Sequence, residues 1–150
     1  MSSVALSTLL FTGCDKEDSS LNFNNSNNYH VKQNQPNNKN TSDIVYIPAN
    51  VFETEFELFA ISFFDSYPEG LIEIEFLASS ATYALTTNEE GETGSDAAII
   101  ICRSSSVQDA ERCKSYVDND KLIAYMGCTA WIVIRDYCCG TAYETHVLCP

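Results

Sequence analysis

The residues of this chain most able to do chemistry are its seven cysteines. Cysteine side chains form disulfides, bind metals or act as nucleophiles, and their number and spacing help to distinguish these uses. Cys14 stands alone near the N-terminus, and an even set remains once it is set aside. That set lies in the last third of the chain: Cys102, Cys113, Cys128, Cys138, Cys139 and Cys149.

The spacing of these cysteines favours disulfides between neighbours. Nine residues separate Cys128 from Cys138, and nine separate Cys139 from Cys149. A direct bond between the adjacent Cys138 and Cys139 would be strained. The zinc alternative lacks a CxxC pair, while buried thiols and crossed pairings stay open. We therefore expect three bridges: Cys102–Cys113, Cys128–Cys138 and Cys139–Cys149.

His146 is the one histidine of the C-terminal part and the candidate for acid–base catalysis. No nucleophile elbow, glycine-rich phosphate loop or His–Glu metal motif accompanies it. We therefore predict a structural histidine, no catalytic residue and no cofactor. The acidic loop 89–96 offers oxygen atoms to calcium but lacks the regular spacing of an EF-hand, so we predict no metal site.

The charge of the chain is strongly acidic, with a formal net charge of −13. Residues 43–96 contain no lysine or arginine. Phosphate binding needs clustered cations, so nucleic acid is excluded as a partner and a basic protein is favoured. The candidate partner-binding residues are carboxylates of this half: Glu53, Glu55, Glu57, Glu73 and Glu75.

The N-terminus is a short apolar run, Val4–Phe11, followed by the small residues Thr12 and Gly13 and then by Cys14. The run is too short to span a bilayer. The stretch resembles the signal peptide of bacterial lipoproteins, in which the cysteine after the cleavage site carries the lipid. The resemblance implies removal of residues 1–13, lipidation of Cys14 with palmitate, and a membrane anchor in the cell envelope.

The acidic run that begins at Asp15 resembles the surface-export signal of Bacteroidota lipoproteins. This resemblance implies an outer-membrane anchor, although in other bacteria an Asp at this place implies retention in the inner membrane. Residues 14–43 are rich in Asn, Ser and Gln and hold few apolar side chains, so we predict a disordered tether. Residues 44–150 have the composition of one globular domain.

For this domain we predict an α+β fold with a mainly antiparallel sheet, one or two helices and stabilising disulfides. Segment 51–64 is ambiguous between helix and strand. Phenylalanines at helical spacing and a capping box from Asn50 to Glu53 favour a helix, whereas the alternation of apolar and acidic residues favours a strand. Because of its length and the capping box, we predict a helix. A second helix is predicted at 107–117, and strands at 44–47, 71–77, 82–87, 97–102, 122–126, 129–134 and 142–148.

Three functions from different classes are compatible with these features. The first is an envelope lipoprotein that presents a small acidic binding domain. The second is an inhibitor or immunity protein against a basic toxin or a lysozyme-like enzyme. Residues 139–143 resemble the Ser-Gly-x-x-Tyr motif of lipoprotein lysozyme inhibitors, but Cys139 replaces the serine, so no residue role carries over. The third is an envelope hydrolase that uses His146.

Overall fold

The computed structural model of this protein describes residues 42–150. The predicted signal segment 1–13, the lipidation site Cys14 and the tether as far as residue 41 lie outside the described residues. No helix within the described part is long and apolar enough to cross a membrane.

Residues 42–150 form two helices and seven strands. The helices are α1 (Phe52–Ser66) and α2 (Val107–Asp118). The strands are β1 (Asp43–Pro48), β2 (Leu71–Leu77), β3 (Thr82–Asn88), β4 (Glu92–Thr93), β5 (Ile99–Ser104), β6 (Thr129–Tyr137) and β7 (Gly140–Leu148). The predicted α+β class is confirmed.

All seven strands belong to one sheet, in which β1-β3-β2-β5-β7-β6 are neighbours in that order. Five of the six pairings are antiparallel, and β2 with β5 is the parallel one. Strand β2 pairs with the second half of β5, where Ile72 is opposite Cys102. The short β4 pairs with the first half of β5, where Thr93 is opposite Ile99.

Both helices pack on the same face of the sheet. Thr145 on β7 donates a hydrogen bond to the Ala110 carbonyl of α2 at 2.8 Å. The ring of Phe56 on α1 lies 6.0 Å from that of Tyr116 on α2, and both rings belong to the apolar core. Because successive strand residues point to opposite faces, the neighbours of these core-facing strand residues lie on a second face, on which neither α1 nor α2 packs. We call it the open face.

Segment 51–64 is helical, so the predicted helix is confirmed. Its phenylalanines recur at helical spacing because they face the core, where Phe56 and Phe64 are fully buried. The predicted capping box is wrong, because the N-cap residue is Val51 and no side chain caps the helix. The predicted strand 122–126 is also wrong. It contains a 3-10 turn that inserts Leu122 and Tyr125 into the core, and the apolar run reflects that burial.

Two disulfides join described residues. Cys102–Cys113 links β5 to α2, as predicted. The predicted bridges Cys128–Cys138 and Cys139–Cys149 are wrong, because Cys128 bonds to Cys149 and the two cysteines between them are free. Strands β6 and β7 form a hairpin, which brings its two ends together at Thr129 and Leu148. At roughly 3.3 Å per residue, the turn of this hairpin lies about 30 Å away from those ends.

Candidate functional site

The open face of the sheet carries a cluster of charged side chains around Arg103 of β5. Its guanidinium donates from Nη1 to Glu73 of β2 at 2.7 Å and from Nη2 to Glu92 of β4 at 2.5 Å. Its Nε donates to Glu144 of β7 at 3.1 Å. One arginine therefore joins three carboxylates from three different strands.

Glu144 is the most buried of these carboxylates, with a side chain that is 2% exposed. In addition to Arg103, Oε1 accepts a hydrogen bond from the Tyr137 hydroxyl at 2.9 Å. Its Oε2 lies 3.0 Å from Nε2 of His146 and 3.5 Å from Nε of Arg135. A buried carboxylate is costly without partners, and Glu144 has four.

The electrostatics of the cluster keep Glu144 ionised. Burial by itself would raise the pKa of Glu144, but hydrogen bonds from His146, Tyr137 and Arg103 outweigh it and lower the pKa. The hydrogen bonds to Glu92, Glu73 and Glu144 raise the pKa of Arg103, against the effect of desolvation. Glu144 therefore acts as an acceptor at neutral pH, and Arg103 as a permanent donor.

His146 is fully buried on this face, and its ring centroid lies 5.9 Å from that of Trp131. Because an ionised carboxylate only accepts hydrogen bonds, Nε2 carries a hydrogen atom and donates a hydrogen bond to Glu144. The other nitrogen, Nδ1, is buried with no hydrogen-bond partner among the described residues. It lies under Gly94, where an added Cβ would be 2.6 Å from Nδ1. Glycine at this position lets the loop after β4 cover the imidazole.

Within residues 42–150, no hydroxyl or thiol is hydrogen-bonded to His146. A nucleophilic mechanism at His146 needs a hydroxyl or thiol within hydrogen-bond reach of the ring. Within residues 42–150 the imidazole bonds to Glu144 alone, and its ring is sealed from solvent. The described residues also hold no group of three or more side chains suited to bind a metal ion. The chemistry that the geometry supports is the ordering of carboxylates at a surface.

Two clefts of about 340 and 280 Å³ flank Glu73 on the open face. The larger cleft is lined by Glu73, Glu90 and Glu92 together with Asn88 and other polar groups. The smaller cleft contains Glu73, Glu75 and Arg103. We refer to the carboxylates that line these clefts as the acidic face, which consists of Glu73, Glu75, Glu90 and Glu92.

The five carboxylates predicted to bind a partner do not lie together. Glu73 and Glu75 are on the open face, whereas Glu53, Glu55 and Glu57 are on α1, on the other side of the sheet. Their electrostatic surroundings also differ from those expected from residues 43–96, which contain no lysine or arginine. Cations from the second half of the chain form ion pairs with two carboxylates of the first half: Arg112 lies 3.2 Å from Glu53, and Lys121 lies 2.6 Å from Glu57.

The sequence prediction missed Arg103, Glu92, Glu144 and Tyr137 as site residues. A signal was present for two of them. Arg103 directly follows an apolar run, and Glu144 stands among the apolar and β-branched residues of the last predicted strand. A charged residue inside a strand that is otherwise suited to burial usually has a charged partner nearby.

Comparison with known proteins identified no relative for this arrangement. No protein-family model matches the chain, and neither the curated proteins nor the solved structures gave a match.

Proposed function

We propose that this chain is a lipid-anchored protein of the bacterial cell envelope whose disulfide-containing domain binds a basic protein partner. The observation that carries the proposal is the acidic face, where carboxylates line both clefts beside Glu73. A partner that presents lysine or arginine side chains is complementary to such a surface.

The charge balance of the open face supports a cationic partner. Among residues 42–150, this face holds the four carboxylates of the acidic face and Glu144, against the two arginines Arg103 and Arg135. Within that part of the chain, the carboxylates of the face outnumber its arginines by three. A surplus of this kind attracts basic proteins and speeds their association.

The geometry supports binding as well, because part of the acidic face is held in place. Glu73 and Glu92 are each about half exposed, at 47% and 48%, while one oxygen of Glu73 and both oxygens of Glu92 accept hydrogen bonds from Arg103. A partner therefore meets carboxylates whose conformations are already restricted. Fixing these side chains before binding lowers the entropy cost of association.

The anchor rests on the N-terminal sequence, where Thr12-Gly13-Cys14 resembles a lipoprotein cleavage site. If Cys14 carries lipid, the segment between it and β1 is the tether that connects the domain to the membrane. Changing Cys14→Ala in the full precursor is expected to abolish lipidation and move the protein from the membrane fraction to the soluble fraction. Unchanged partitioning into detergent would argue against the anchor.

The binding proposal is tested with a short oligolysine peptide added to the ¹⁵N-labelled full chain. We expect the largest changes in amide chemical shift at β2, β4 and β5, and we expect the affinity for the peptide to fall as the salt concentration is raised. The acidic-face variant is Glu90→Gln, because changing Glu73 or Glu92 would also disturb Arg103. It is expected to weaken binding.

The matched control is Glu111→Gln, which removes the same charge from the exposed surface of α2. We expect the control to bind the peptide like the unchanged chain. Equal weakening in both variants would mean that net charge alone attracts the peptide, and the acidic face would then have no special role.

A further inference from the structure

The β6–β7 hairpin ends in two adjacent cysteines. Tyr137 pairs with Gly140, so Cys138 and Cys139 form the whole loop between the strands. Both side chains are exposed, and their sulfur atoms lie 3.5 Å apart. The remaining cysteines of residues 42–150 are held in disulfides. The hairpin tip thus presents two thiols together to solvent.

We propose that Cys138 and Cys139 form a dithiol site that reacts with an external disulfide and closes reversibly into a bond between the two cysteines. The inference stands on the hairpin alone and is independent of the proposed function. Its substrate class is a disulfide that reaches the exposed loop.

The reaction proceeds in two exchange steps. The thiolate of one cysteine attacks a sulfur of the external disulfide, forms a mixed disulfide and releases the first thiol of the reagent. The adjacent thiolate then attacks the protein sulfur of that mixed disulfide and releases the second thiol. The two cysteines lose two protons and two electrons, and the external disulfide is reduced to two thiols.

Proximity favours the second step. With the two sulfur atoms 3.5 Å apart, the resolving thiol needs no large movement of the loop to reach the mixed disulfide. Reactions between groups held together in one molecule have very high effective concentrations. A mixed disulfide at this tip is therefore expected to be short-lived.

Backbone geometry makes the product easy to reduce. Adjacent Cα atoms are about 3.8 Å apart across a trans peptide, whereas disulfides usually join Cα atoms about 4.4–6.8 Å apart. Strained and exposed disulfides are the ones most readily reduced. Cys102 and Cys113, in contrast, are fully buried, so their bond is protected from reagents. The tip is the exchangeable pair, and the buried bond is structural.

The test uses the full chain and oxidised glutathione, followed by N-ethylmaleimide and trypsin. Cleavage after Lys121 and Arg135 isolates the cysteines of the tip in peptide 136–150, still joined to peptide 122–135 by Cys128–Cys149. Before oxidation this linked pair is expected to carry two maleimide groups. After oxidation it is expected to carry neither maleimide nor glutathione and to have lost two hydrogen atoms.

Single variants trap the intermediate. In Cys138→Ser or Cys139→Ser the remaining thiol has no neighbour to resolve the mixed disulfide, so glutathione stays attached. Because both positions are exposed and in a turn, the variants are expected to keep the fold, which circular dichroism checks. Absence of an adduct in both variants would contradict exchange as the route.

Three results would overturn the proposal. Glutathione that remains on peptide 136–150 of the unchanged chain would mean that the pair does not close. A covalent dimer linked through peptide 136–150 would mean that the thiols react between molecules instead. A closed pair that resists dithiothreitol as strongly as Cys102–Cys113 would contradict its reversibility. We expect it to reopen at reagent concentrations that leave both other disulfides intact.

Discussion

Replacing Arg103 by methionine tests whether the ion cluster is required to keep Glu144 buried. The change keeps a long apolar side chain but leaves a carboxylate that is 2% exposed without its nearest arginine. Removing one partner of a buried ion pair typically costs about 3–5 kcal/mol. We expect the lower end, about 3 kcal/mol, because His146, Tyr137 and Arg135 still contact Glu144.

The measurement is urea unfolding of the full chain at neutral pH, with the slope of the transition compared between variants. A loss of about 3 kcal/mol is large beside a usual domain stability of about 5–15 kcal/mol. The matched control is Lys114→Met, which breaks the exposed pair with Asp118 on α2. Such surface pairs are worth about 0–1 kcal/mol, so the control is expected to unfold almost like the unchanged chain.

A double variant distinguishes two causes of the lost stability: a buried carboxylate without its arginine, and the loss of packing around Arg103. When Glu144→Gln is added to Arg103→Met, no buried carboxylate remains without its arginine, and the amide oxygen can still accept the hydrogen bond from His146. Much of the lost stability is therefore expected to return. If Arg103→Met lowers the free energy of unfolding no more than the Lys114→Met control does, Arg103 is not needed to stabilise the buried Glu144. If the double variant is no more stable than the single one, packing and not charge explains the loss.

Three further predictions concern the same domain. The pKa of Glu144 is lower in the folded protein than its ordinary value of 4.5. The stability that this carboxylate contributes is therefore present above pH 4.5 and is lost as the pH falls through the folded pKa. In Glu144→Gln, the free energy of unfolding measured in urea should depend less on pH in the acidic range. Gly94→Ala would place a Cβ 2.5 Å from the His146 ring, and it should cost about 1–3 kcal/mol in the same assay, with less cost when His146→Ala is also present. Paired Cys128→Ser and Cys149→Ser changes should lower stability by about 2–4 kcal/mol, and a melting temperature unchanged by them would contradict a structural role.

Local pattern was sufficient to predict most of the secondary structure. The alternation of Ile72 and Ile74 with glutamates gave β2 because only one face of that strand packs on helices. Phenylalanine spacing predicted α1 because Phe56 and Phe64 both face the core. The run 122–126 misled because burial in a 3-10 turn and burial in a short strand both select apolar residues.

The site could not be predicted in the same way, because its contacts join distant parts of the chain. Arg103 is separated from Glu73 by 30 positions and from Glu144 by 41. These pairs exist because β5 lies between β2 and β7, and no local pattern states which strands are neighbours. The prediction of two of the disulfides failed for a related reason. Equal spacing suggested two small loops, but it reflects the two equal arms of one hairpin.

The position of the disulfides divides the sheet into two parts of different resistance to opening. Both bonds lie in the part formed by β5, β6, β7 and α2, while β1, β2, β3 and α1 have none. Across the boundary the sheet is continuous through the short parallel pairing of β2 with β5, over which Arg103 bonds to Glu73. In native-state hydrogen exchange, the amides of β1 and β3 should therefore exchange through partial openings that leave β6 and β7 protected. The domain would then behave as two cooperative units, and the acidic face lies on their common boundary.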